Sequence, residues 1–139
     1  MDWKGEIPAN LWLFPRGMER EGLAGNNSVK WKSKYGSIIT RSWNIASSDG
    51  MNEKGLVGNL LWLVESAYPD FTKNSGQKGL AISLCLQYAL DNYATVAEAM
   101  KAFEKREFAV ASTNIPGTDL FTTLHLSLSD AGGDNAIFE

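Results

Sequence analysis

The chain carries one cysteine, Cys85, and one histidine, His125, so nucleophilic chemistry drawn from its own side chains has few places to sit. A thiol attacks as the thiolate and needs a nearby cation, imidazole or helix N-terminus to lower its pKa. Cys85 stands in Leu80-Ala81-Ile82-Ser83-Leu84-Cys85-Leu86, with no Lys, Arg or His beside it, and reads as a core residue. A lone imidazole supplies neither a metal set nor a Ser-His-Asp triad, and His125 falls on the polar side of an alternating segment. Asp130 and Asp134 flank Gly132-Gly133, too few ligands for a calcium loop, and read as turn formers. No metal and no cofactor are expected. The remaining chemistry is aromatic: an indole offers a large apolar plane with one N–H donor, suited to stacking on a ring or covering an acyl chain. Trp12 and Trp43 read as core, whereas for Trp3 and Trp62 both a core and a ligand-wall reading stand open.

The elements that must hold these residues follow from periodicity and turn residues. Asn10-Leu-Trp-Leu-Phe-Pro15 reads as a buried strand. Residues 16–34 read mostly as loop, with a short half-exposed strand over 28–32. Segments 37–43 and 56–63 read as an antiparallel pair flanking an Asp49-Gly50-Met51-Asn52-Glu53-Lys54-Gly55 turn, whose glycines can take positive φ. A polar loop from Tyr68 leads to a helix over 79–93, in which Leu80, Leu84 and Tyr88 share one face. Thr95 and Glu98 have capping-box spacing and open a second helix over 96 to about 105. Residues 107–111 read as a strand, and from Phe121 the leucines 124, 126 and 128 alternate with His125, Ser127 and Ser129. The last residues read as a further strand. Sheet, helix pair, sheet is an α+β order.

Composition narrows the partners. At 139 residues the chain is read as a single domain, able to bury about two thirds of its unfolded surface. The net charge is −3 with no basic block, which argues against nucleic acid, and no apolar run approaches the ~20 residues of a membrane helix. One cysteine excludes an internal disulfide and leaves periplasmic, secreted and cytoplasmic locations open. A small molecule is the expected partner.

Four phrases then carry a resemblance: Met1-Asp2-Trp3, Ser33-Lys34-Tyr35-Gly36-Ser37, Asp49 through Leu56, and Leu124-His-Leu-Ser-Leu-Ser-Asp130. Together they make the chain similar to the penicillin V acylase and choloylglycine (bile-salt) hydrolase family across its whole length. The resemblance implies a partial αββα sandwich of the amino-terminal-nucleophile type, two antiparallel sheets between helical layers, and hydrolysis of linear amide C–N bonds. Penicillin V, conjugated bile salts and N-acyl homoserine lactones are the implied substrate types. It also leaves room for a homo-oligomer, a tetramer being common in the family. Family members attack with an amino-terminal cysteine whose own α-amino group is the base. That cysteine lies upstream of the Asp-Trp pair, so the chain is expected to be an internal piece, incomplete at both ends relative to the family and inactive alone.

By the same resemblance Asp2 is the catalytic residue retained, its carboxylate holding the cysteine's amino group. Trp62 falls where the family varies the residue beside the scissile amide. Trp3, next to Asp2, and Asn59, three residues before Trp62, complete the candidate substrate contacts, although Asn59 and Trp62 should point to opposite faces of a regular strand. The alternative is a non-catalytic domain of the same fold that binds an acyl ligand or assembles with another chain.

Overall fold

The structure, a computed structural model, describes residues 6–68, 76–112, 114–115 and 117–139. Among the described residues ten strands and two α-helices are formed, in the order β1 (Ala9–Phe14), β2 (Glu19–Glu21), β3 (Lys30–Lys32), β4 (Ser37–Ser42), β5 (Ala46–Asn52), β6 (Val57–Trp62), β7 (Lys78–Ala81), α1 (Cys85–Asn92), α2 (Val96–Phe103), β8 (Phe108–Ala111), β9 (Leu124–Ser129) and β10 (Asn135–Phe138). β1, β4, β5, β6, β9 and β10 lie in that order in one antiparallel sheet. β2 pairs with β3, and β7 with β8. This is an α+β arrangement, a β layer with its α layer.

Alternation in β9 decides which face meets the helices. Leu126 and Leu128 are buried beneath the helical layer, while Ser127 and Ser129 point the other way. Gly58 of β6 faces α1 directly: a Cβ there would lie 2.5 Å from Leu86 Cδ1, so only glycine admits the helix this close. Leu86, Ala89 and Leu90 fill the seam. Asn52 fastens the end of β5 to the end of α1, its Nδ2 donating to the carbonyls of Leu90 and Tyr93 at 2.8 Å each. Those are carbonyls a helix leaves without an internal partner. The Asn52 Oδ1 accepts from the N–H groups of Lys54 and Leu56, closing the turn into β6.

A buried ion pair secures the other side of α1. Asp91, with no exposed surface, accepts from Arg20 Nε at 2.9 Å, Trp31 Nε1 at 2.7 Å and Gln87 Nε2 at 2.8 Å. Burial raises the pKa of its carboxyl, against the pull of those three donors. Thr95 caps α2 by accepting from Glu98 N–H at 3.2 Å, and Glu98 reaches back to Ala94 N–H at 2.8 Å. Asp130 accepts from Val96 N–H as well as from Gly132 and Asp134 in its own turn, and these bonds lower its pKa.

Four sequence expectations need correction. The phrase from Asp49 to Leu56 is not a turn between paired strands: Asp49, Gly50, Met51 and Asn52 belong to β5, which lies between β4 and β6 and pairs with both. Small polar residues hid a strand whose close neighbours leave little room for larger ones. Residues 78–81 form a strand, parallel to β8, followed by a 3₁₀ turn over 82–84, so the helix starts only at Cys85. Leu80 and Leu84 share a helical spacing yet are both buried, and periodicity does not separate a buried strand from a helix there. β1 is an edge strand and largely exposed, with only Phe14 buried. Trp12 is 38% exposed, under the Arg41 guanidinium, and not in the core.

The sheet face away from the helices carries Leu13, Ile38, Met51 and Val57 in register across four strands, all exposed. No helix among the described residues is long and apolar enough to cross a membrane.

Candidate functional site

α1 covers the sheet as far as Gly58 and Leu60, and past its reach a cleft of about 70 Å³ opens on the same face. Leu60 and Trp62 on β6 point into it, and Leu124 joins them as the cross-strand neighbour of Trp62. Ile115, Thr122 and Ser83 close the helix side, and Ile7 stands where the chain enters β1.

The floor is made by a bulge. Pairing between β4 and β5 steps at Thr40 and Arg41, with Ser48 the extra residue, so Ser42, Ser47 and Ser48 all line the cleft. A bulge bends its strand and re-aims side chains in this way. The hydroxyls of Ser42 and Ser48 are 2.6 Å apart and satisfy each other. That of Ser47 is buried without a hydrogen-bond partner among the described residues. The hairpin turn after β4 brings Trp43 to the wall, which corrects its assignment to the core.

Trp62 is held at its strand end by the segment that follows. Leu63 N–H donates to the Thr123 carbonyl at 2.9 Å, and Ser66 Oγ donates to the Leu124 carbonyl at 3.2 Å. The Tyr68 hydroxyl donates to that same carbonyl and accepts from Leu124 N–H at 2.8 Å. Burial raises the Tyr68 pKa, so the phenol stays a neutral clamp. Nothing in the sequence distinguished Tyr68 from the polar loop it opens.

Among the described residues no charged side chain lines the cleft; two indoles, two leucines and two isoleucines make half of its lining, and the rest is Ala46, four serines and Thr122. Such a lining favours an uncharged apolar group with one or two hydrogen-bonding atoms, since burying a charge there would be uncompensated. The structure therefore brings Trp62 and Trp43 together but not Asn59. Asn59 lies on the opposite face, donating to Asp49 Oδ1 of its cross-strand neighbour at 2.8 Å. Asp2 and Trp3 fall outside the described residues. Cys85 is buried on α1, its thiol pushed up to about 12 by burial, which suppresses thiolate chemistry. His125, beside Leu61 in the register, lies on the face away from the cleft.

A fold with this sheet, this helical layer and these phrases is placed by comparison with known proteins. The family model for linear amide C–N hydrolases, choloylglycine hydrolase family, matches residues 1–139, and the chain belongs to that family. It is 44% identical over 144 residues to a penicillin V acylase of Pectobacterium atrosepticum, covering all of this chain and 38% of that protein. The solved penicillin V acylase of Agrobacterium tumefaciens is 54% identical and superposes with a TM-score of 0.88, over 99% of this chain and 40% of that one. A variant of the conjugated bile acid hydrolase of Clostridium perfringens, at 23% identity and a TM-score of 0.75 over 99% of this chain and 42% of that one, shares the fold. The chain thus spans about two fifths of the length of these relatives.

Proposed function

We propose that the protein containing these residues hydrolyses the amide of a small N-acyl compound, and that the cleft at Trp62 receives the acyl group. The single observation that carries this is the indole-walled cleft at the end of β6, which no charged side chain among the described residues lines; by the resemblance, Trp62 stands where the family varies the residue beside the scissile bond. The cleft's 70 Å³ is under half of the ~150 Å³ that encloses a benzene in a closed cavity, so it grips the end of an acyl group. We take a phenoxyacetyl or aliphatic acyl amide, as in penicillin V or an N-acyl homoserine lactone, as the leading substrate type, with a conjugated bile salt as its competitor. The names of the relatives at 44% and 54% identity point the same way.

The reaction would be acyl transfer. A cysteine thiolate attacks the amide carbonyl, the amine departs with the proton taken from the thiol, and water hydrolyses the thioester. Cys85 is unsuited to this, so the nucleophile is assigned to an amino-terminal cysteine outside these 139 residues, which alone are expected to be inactive. Asp2 is assigned the task of holding that cysteine's α-amino group. The test is turnover of penicillin V, an N-acyl homoserine lactone and a glycine-conjugated bile salt by the full-length protein, alone and as Asp2→Asn. The reading expects hydrolysis of the first two, with most turnover lost in the variant and the fold intact. Binding without turnover of any amide would favour a non-catalytic acyl-binding domain instead.

A further inference from the structure

The turn that presents Trp43 is an unfavourable place for a tryptophan. The Ser42 carbonyl accepts from Ile45 N–H at 3.0 Å, and the two residues between them, Trp43 and Asn44, have φ of 51° and 57°. Paired left-handed residues are the signature of a type I′ hairpin turn, whose usual occupants are Asn, Asp and Gly. Asn44 obeys that preference and Trp43 does not. A bulky side chain persists in the left-handed region only where its surroundings over-determine the backbone. Here they do: Trp43 N–H donates to the Pro8 carbonyl at 2.7 Å, Asn10 Nδ2 donates to Asn44 Oδ1 at 3.0 Å, and Arg41 donates to the Ile45 carbonyl at 2.5 Å. Asn or Gly at position 43 would make the same turn without strain. What tryptophan adds is an indole in the cleft that Trp62 also lines.

We propose that Trp43 is a specificity-determining residue: its indole covers the apolar acyl group of the substrate, and the strained turn is retained to hold it there. This role depends on the acyl reading of the cleft. The ligand class is an aromatic or extended aliphatic acyl chain, because Leu60, Leu124 and Ile115 share the wall with the indoles, its polar lining is hydroxyl only, and no charged side chain among the described residues faces it.

Two variants of the full-length protein separate the turn from the ring. Trp43→Asn relaxes the backbone, since Asn tolerates the left-handed region, and deletes the indole; Trp43→Phe keeps both an aromatic ring and the strain. In Trp43→Asn, kcat/KM for a phenoxyacetyl amide should fall about ten-fold relative to that for the matching acetyl amide, while Tm rises or stays within about 3 °C. Trp43→Phe should hold the ratio within about three-fold of wild type. An unchanged ratio in Trp43→Asn overturns the proposal, as does a clear fall in Tm with equal losses on both amides. Phenoxyacetate binding, followed by quenching of indole fluorescence, gives a readout independent of turnover. A Kd about ten-fold weaker in Trp43→Asn supports the assignment even if the wild type hydrolyses neither amide, in which case only the proposed reaction fails. An unchanged Kd, or no binding by the wild type, overturns it.

Discussion

Gly58 is the point where the sheet and α1 come closest, and adding one methyl there should force them apart. In Gly58→Ala the new Cβ would lie 2.5 Å from Leu86 Cδ1, 2.6 Å from Leu128 Cδ2 and 3.1 Å from the Ser127 carbonyl oxygen. Leu86 and Leu128 have no exposed surface, so neither can swing into solvent, and the helix has to lift. Overpacking of this kind costs roughly 1–3 kcal/mol. Leu86→Ala alone opens a cavity worth roughly 2–5 kcal/mol. In the double variant the alanine methyl occupies space that Leu86 vacates, so the combined loss should fall short of the sum by about 1 kcal/mol or more. Urea unfolding of wild type, both single variants and the double variant, followed by far-UV circular dichroism, completes the cycle. Strictly additive losses would refute the contact, as would a Gly58→Ala variant of wild-type stability.

Glu53 accepts from Arg16 Nε and from Gly36 N–H, and the Arg16 hydrogen bond is the largest cause holding its carboxyl down at about 2. A depressed folded-state pKa contributes stability that is present above the ordinary value of 4.5 and lost as pH falls towards 2. Glu53→Gln should therefore flatten the dependence of Tm on pH between 2 and 5, and an unchanged slope would count against the pairing. On the opposite face, replacing Leu13, Met51 and Val57 together by lysine should reduce both self-association and binding of a hydrophobic dye by the 139-residue chain. Equal dye binding before and after would show that the row is not the sticky surface.

Strands that alternate, or that carry β-branched and aromatic runs such as β1 and β4, were legible in the sequence; β5 and β7 were not. β9 and the start of β6 follow a two-residue period because one face meets α1. β5 was invisible: Ala46-Ser-Ser-Asp-Gly-Met-Asn52 has the composition of a loop, yet Gly50 stands with its Cβ site 2.8 Å from Ile39 Cγ1, where a larger residue would not fit. β7 was taken into a helix because a strand buried on both faces shows no period of its own. At the cleft, the separation of Asn59 from Trp62 followed from strand geometry alone. Trp43 was missed because its direction depends on a bulge and a left-handed turn, neither of which leaves an Asn-Gly signature. The reading of Trp62 as a ligand wall came from family resemblance; the residue's own surroundings in the sequence were those of any apolar strand.

The measurement that tests the account most directly is kcat/KM of the full-length protein and its Trp62→Ala variant on penicillin V and on a short-chain acyl amide, with Tm recorded alongside. If Trp62 walls the acyl cleft, the bulky substrate should lose on the order of ten-fold or more, the short one far less, and the fold should remain close to wild type in stability. Equal losses on both substrates, with a destabilisation of ~3–5 kcal/mol, would make Trp62 a structural residue and contradict the assignment of this cleft to the acyl group.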